Sequence, residues 1–258
     1  LKKSPEEAYS TETGLVLAEI SFAIKKLRRW MEPQSVPTDL ANLPSGSKIY
    51  RDPLGVVLII APWNYPSQLL LLPLAGAIAG GNCVVLKPSE LAPATNTIIE
   101  KIISETFADN YIKVVQGDGA TIVPAMMNNF RFDHVFYTGS IPVGKIIYKM
   151  AAEQLVPVTL ELGGKSPAIV EADANLTVAA KRIVLGKFIN AGQICIAPDY
   201  LLVHQSVKDE LLQKMTATIE KFYTKDAAAS YDYGKIINEK RFDKLVSYLA
   251  QGKIITGG

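Results

Sequence analysis

Val56-Val-Leu-Ile-Ile-Ala61 runs into Pro62-Trp63-Asn64-Tyr-Pro66, and an apolar segment later comes Cys83-Val-Val-Leu-Lys87 followed by Pro88-Ser-Glu90. Both apolar runs are short and lack polar alternation, the pattern of a strand buried on both faces. The same beat continues, with strand-like runs at 112–116, 134–138 and 158–162. Helical candidates lie between them at 68–80, 93–107, 119–128 and 142–153. Strands alternating with helices predict an α/β fold with a parallel, doubly wound sheet. Ligands of such sheets bind beyond the carboxyl ends of the strands. The residues there are Pro62-Trp63-Asn64, Lys87-Pro-Ser-Glu90, Gly139-Ser140 and Glu161.

Outward from this core the pattern changes. Leu17, Ile20, Ile24, Leu27 and Met31 recur at three- and four-residue steps, predicting an amphipathic helix over 13–31. Residues 32–48 are rich in Pro, Ser, Asn and Gly and read as a loop or detached excursion. After Gly164 a second unit is expected, with strands at 168–170 and 200–204 and helices at 175–190, 207–222 and 238–250.

The chain of 258 residues is 48% hydrophobic, enough to bury a core of one or two domains. Lys and Arg (27) nearly balance Asp and Glu (25), with no basic block, which argues against nucleic acid or an anionic membrane as main partner. Two cysteines build no disulfide framework, and with two histidines so scattered no metal site is expected; a reducing, cytoplasmic setting fits. The apolar region 54–86 is broken by Pro62, Asn64, Pro66 and Pro73, so it reads as buried sheet and helix rather than a membrane span. No basic-then-apolar leader opens the chain. Both ends read as cut, and a fragment of a longer protein is expected.

Three places attract a chemical reading. Glu161 ends a strand-like run before Gly163-Gly164, and Cys195 follows Gly192-Gln193 and precedes Pro198. A carboxylate base and a thiol on irregular backbone are two parts of covalent catalysis; a buried structural cysteine is the plain alternative. Cys83, inside an apolar strand, reads as an inert core thiol. Gly139-Ser-Ile-Pro-Val-Gly144-Lys145 has the glycines and lysine of a phosphate-binding P-loop, but Ile146 stands where a magnesium-binding Ser or Thr is needed. It equally suits a helix start that presents N–H groups to a pyrophosphate. Lys87 and Glu90 stand where ribose hydroxyls are usually read, or form a solvated strand end. The G-x-G-x-x-G fingerprint is absent, as is a G-x-S-x-G elbow; His134 and His204 read as structural.

Taken together, Pro62-Trp-Asn64-Tyr-Pro66, Lys87-Pro-Ser-Glu90, Phe136-Tyr-Thr-Gly-Ser140, Glu161-Leu-Gly-Gly-Lys-Ser-Pro167 and Gly192-Gln-Ile-Cys195 resemble the NAD(P)-dependent aldehyde dehydrogenase superfamily. The order of the motifs matches along the whole chain. The runs 157–165 and 192–200 look most like the class 3 and fatty aldehyde dehydrogenase branch. The resemblance implies an NAD(P)-binding domain over 1–158, with its excursion near 32–52, and an unfinished catalytic domain over 159–258. It implies Cys195 as nucleophile, Glu161 as general base, and Asn64 with the Cys195 N–H as oxyanion hole. Lys87 and Glu90 would hold the adenosine ribose, Ser140 the pyrophosphate, and Trp63 and Gly139 would line the cofactor cleft. The cofactor would be NAD or NADP, the substrate an aldehyde, and the assembly a homodimer.

One departure is that the family's later Glu-Ile-Phe-Gly-Pro motif has no counterpart here. A membrane-anchoring tail, if present, would fall outside this stretch. The competing readings are a coenzyme-A-acylating relative, which does not need the base Glu161, a P-loop nucleotide binder, and a non-catalytic protein with this fold.

Overall fold

The computed structural model describes residues 1–257. In chain order the helices are α1 (Pro5–Ala8), α2 (Gly14–Met31), α3 (Gln68–Ala79), α4 (Pro93–Thr106), α5 (Gly119–Asn129), α6 (Ile141–Glu153), α7 (Leu176–Phe188), α8 (Lys208–Tyr223) and α9 (Glu239–Val246). The strands are β1 (Gln34–Val36), β2 (Ser47–Ile49), β3 (Val56–Ile60), β4 (Cys83–Lys87), β5 (Ile112–Val114), β6 (His134–Gly139), β7 (Val158–Leu162), β8 (Ser166–Val170) and β9 (Pro198–Val203). The chain divides into two compact units, Ser10–Leu162 and Leu1–Tyr9 with Gly163–Gly258.

The first unit is the expected parallel sheet, in the order β5-β4-β3-β6-β7. Strand alternation sends Val57 and Ile59 to one face, where they pack with Leu70 and Leu74 of α3 and Ile99 and Ile103 of α4. Leu58 and Ile60 go to the other face, against Val123 and Met127 of α5 and Ile147 and Ala151 of α6. A central strand with helices on both sides has no wet face, which is why β3 shows no polar alternation. Chain order reverses between β3 and β6, which pair from Val57↔His134 to Ile60↔Tyr137. That reversal is where ligands bind in doubly wound sheets. The compact unit runs to Leu162, where β7 is still paired with β6 at Gly139↔Leu162.

Polar side chains lock the amino ends of the strands. Asn82 Oδ1 accepts from the N–H groups of Leu54 (2.7 Å) and Gly55 (3.1 Å), and Asp133 Oδ2 accepts from the Val56 N–H at 2.8 Å. His134 Nε2 lies 3.0 Å from Thr159 Oγ1, and burial pushes its pKa below the usual 6.5.

One expectation changes here, and one is narrowed. The apolar stripe of α2 does not face the core: Leu17, Ile20, Ile24 and Met31 are exposed, while Val16 and Ala23 are buried. The helix packs on α3. The segment 32–48, expected as a loop or detached excursion, is the second of these: β1 and β2 pair antiparallel from Gln34↔Ile49 to Val36↔Ser47 as a separate two-stranded sheet. Its Pro, Ser and Gly content hid a ladder made only by non-local pairing.

In the second unit β8 and β9 pair in parallel. Val170 of β8, Leu176 and Ala180 of α7 and Leu211 of α8 form its core. Asn175 caps α7 by accepting from the Val178 N–H at 3.1 Å, and Asn238 caps α9 by accepting from the Arg241 N–H at 3.0 Å. Among the described residues no helix is long and apolar enough to cross a membrane.

Candidate active site

Within the sheet unit the loop after β3 carries Trp63 and Asn64, both half-buried. Its end is tied to the N-terminal region by Glu12, a buried carboxylate that accepts from the Ser67 N–H at 3.0 Å and from its hydroxyl at 2.7 Å. Glu12 sits in a wide helical turn, Tyr9–Thr13, with π-type bonding. Nothing in local sequence singles it out, because its partner is distant in the chain.

At the end of β4, Lys87 is not a solvated strand-end residue. Its side chain is 2% exposed, and the ammonium donates to the Pro88 carbonyl at 2.7 Å and faces Glu90 at 3.4 Å. Asn96 of α4 donates to the Ser89 carbonyl at 2.7 Å and so fixes the turn between them. The start of α5 comes close as well: a Cβ on Gly119 would lie 3.6 Å from Glu90 Oε2 and 4.0 Å from Lys87 Nζ. Asn96 and Gly119 went unnoticed in the sequence, where the only signal was their place at helix starts facing the strand ends.

At the end of β6, Ser140 is the N-cap of α6, yet its side chain makes no capping bond. The first helical bond is Gly144 N–H to the Ser140 carbonyl at 2.9 Å. The Ile141 and Val143 N–H groups therefore have no helical acceptor, and Pro142 has no N–H. An uncapped helix start of this kind attracts anions through its N–H groups and the helix dipole. The same geometry removes the P-loop reading. Residues 141–144 are already helical, so they cannot form the open loop that cradles phosphates. Gly139 has a packing reason: a Cβ there would meet the Tyr137 hydroxyl at 2.2 Å. That hydroxyl donates to the Ser140 carbonyl at 3.3 Å, and burial pushes its pKa up.

β7 carries Glu161, which is exposed, two residues before the irregular stretch that begins at Gly163-Gly164. In the second unit Cys195 is exposed, not a buried structural cysteine, and it lies in a turn. Before it Asn190, Ala191 and Gly192 are left-handed, with φ of 51°, 52° and 77°. Cys83, expected as a core thiol, is half-buried, because β4 begins at it near the rim of the sheet. Both cysteines are free. Among the described residues no cluster of His, Cys, Asp and Glu could hold a metal ion.

A nicotinamide dinucleotide fits this donor set. The uncapped start of α6 offers N–H groups to a diphosphate, and the Lys87–Glu90 pair offers a cation and a carboxylate to ribose hydroxyls.

Comparison with known proteins gives the same direction. The profile described as "Aldehyde dehydrogenase family" matches residues 2–257. The 4,4'-diaponeurosporen-aldehyde dehydrogenase of Staphylococcus aureus is 50% identical across 100% of this chain and 56% of its own length. A mouse protein named "Aldehyde dehydrogenase, dimeric NADP-preferring" is 42% identical, again across 100% of this chain and 56% of its own. A solved structure of Staphylococcus aureus AldH in a substrate-bound state superposes with a TM-score of 0.95 at 50% identity, covering 99% of this chain and 56% of that one. The chain thus spans about half the length of the curated relatives it matches. Because the profile match runs along nearly the whole sequence and the fold agrees, the chain belongs to the aldehyde dehydrogenase family.

Proposed function

We propose that the protein oxidises an aldehyde to a carboxylic acid with NAD or NADP as electron acceptor. The observation that carries this reading is the exposed Cys195 thiol in the turn that follows the left-handed bend 190–192, in a chain of this family. The Cys195 sulfur adds to the carbonyl carbon and forms a thiohemiacetal. The Asn64 amide and the Cys195 N–H donate to the oxygen as it gains charge, each donor lowering the barrier by roughly 3 kcal/mol. A nicotinamide, when bound, would accept the hydride that this adduct loses on becoming a thioester. Glu161 then takes a proton from water as the water attacks the thioester carbon, and the Cys195 thiolate leaves. Lys87 and Glu90 hold the adenosine ribose, Ser140 and the first turn of α6 hold the pyrophosphate, and Trp63 and Gly139 line the cleft.

On this reading residues 1–158 serve cofactor binding and 159–258 catalysis. The protein works as a homodimer, as the name of the mouse relative suggests for that enzyme. A cytoplasmic setting keeps the Cys195 thiol reduced. Glu161 favours water over coenzyme A as acyl acceptor, since transfer to a thiol needs no water-activating base.

The test is to mix the whole protein with an aldehyde panel and NAD or NADP and follow the near-ultraviolet absorbance of the reduced cofactor. Signal that vanishes in Cys195→Ala supports the mechanism. Activity that survives that substitution refutes it, and a silent wild-type protein favours the non-catalytic reading.

A further inference from the structure

We propose that Gln193 is a positioning residue for the nucleophile loop, a brace between that loop and the segment 234–237. The proposal rests on Cys195 being the nucleophile.

The loop needs a brace. Asn190 and Ala191 are non-glycine residues in the left-handed region, which L side chains disfavour, alanine more than asparagine. Such a bend persists only where its surroundings hold it. Asn190 is fully buried, and its Nδ2 donates to the Gln193 carbonyl at 3.2 Å. Gln193 Nε2 donates back to the Asn190 carbonyl at 2.9 Å, closing the bend on itself.

The same side chain reaches away from the loop. Nε2 also donates to the Lys235 carbonyl at 3.1 Å, and Oε1 accepts from the Ile237 N–H at 3.0 Å. A primary amide can do this because it carries two donors and an acceptor. The far end is itself anchored, since the Lys235 N–H donates to the Leu1 carbonyl at 2.6 Å. Residue 234 is glycine where a Cβ would come within 3.4 Å of the Leu1 carbonyl oxygen and 3.6 Å of the Ala191 nitrogen. A continuous run of contacts thus passes from Leu1 through 234–237 to Gln193, within a single compact unit. Cys195 follows two positions later, on backbone that has no strand or helix of its own to hold it.

A side chain that only stabilised the fold would leave the turnover of folded molecules intact; one that aims the sulfur would not. The test is hydrogen exchange by mass spectrometry together with steady-state kinetics on the full-length protein. Gln193→Ala is expected to raise exchange in 190–197 and 235–237 by about tenfold or more, with other segments unchanged. It should lower kcat by roughly 10- to 100-fold, with KM for the aldehyde changing by less than about threefold, as expected for a misplaced reacting group. Gln193→Glu keeps the acceptor for the Ile237 N–H and loses both donors, so it should fall between wild type and Gln193→Ala. Unchanged exchange in both segments overturns the brace. Raised exchange with wild-type kcat, or a loss confined to KM, overturns the positioning role. If Gln193→Ala does not fold, wild-type kcat in Gln193→Glu overturns it alone. A wild-type protein that oxidises no aldehyde counts against the proposed function, and the exchange data then decide the brace by themselves.

Discussion

The Lys87 ammonium and the Glu90 carboxylate are 3.4 Å apart but in unequal surroundings, the lysine side chain 2% exposed and the glutamate 44%. The cation is held from inside by the Pro88 carbonyl, and the carboxylate is left able to meet a ligand. Removing the cation should therefore be felt in cofactor binding. Lys87→Ala is expected to raise Kd for NAD or NADP about tenfold, or about 1.4 kcal/mol. Titration of the cofactor against the variant checks this, and an unchanged Kd would separate the pair from cofactor binding.

Gly139 should not tolerate a methyl group. A Cβ there would lie 2.2 Å from the Tyr137 hydroxyl oxygen and 2.6 Å from the ring carbon that bears it. Tyr137 is buried, so the ring has little room to yield. Gly139→Ala is expected to lose roughly 1–3 kcal/mol of stability in urea unfolding, as other overpacked cores do. Adding Tyr137→Phe should recover part of the loss by removing the nearest atom. Wild-type stability in the single variant would sink the argument.

His134 predicts a pH dependence of stability. Its folded pKa is held below 6.5 by burial, so near and below that pH the unfolded chain binds the more protons. Its contribution is then full above pH 6.5 and is lost as pH falls through the folded value. Between pH 7.5 and 5.5 the urea midpoint should drop less steeply in His134→Gln than in wild type; about equal slopes would remove His134 from the account.

Glu161→Gln separates the two halves of the proposed cycle. Without a base the first half runs once and the thioester persists, so one burst of reduced cofactor per site is expected, followed by slow turnover. Intact-mass spectrometry should find the acyl group on Cys195. Steady turnover at the wild-type rate would assign the base elsewhere.

The sheet was legible because each strand is a local signal. The runs at 83–87 and 158–162 match β4 and β7 end to end, and the helix starts fall within one residue of those expected for α3, α4, α5 and α6. The stripe on α2 misled for a physical reason. Periodicity shows that a helix has two faces, but not which one will be buried, and on α2 the buried residues are Val16 and Ala23. The β1–β2 ladder was hidden because its partners lie on opposite sides of a Pro-rich turn.

By itself the sequence determined the alternation of strand and helix, the glycines and proline at their ends, and the order of motifs that names the family. Tertiary structure alone decided that Lys87 is buried, that Glu12 ties down Ser67, and that Gln193 reaches Lys235 and Ile237. The first set follows from side-chain pattern over a few neighbouring residues. The second depends on hydrogen bonds and burial between residues far apart in the chain, which no local window contains.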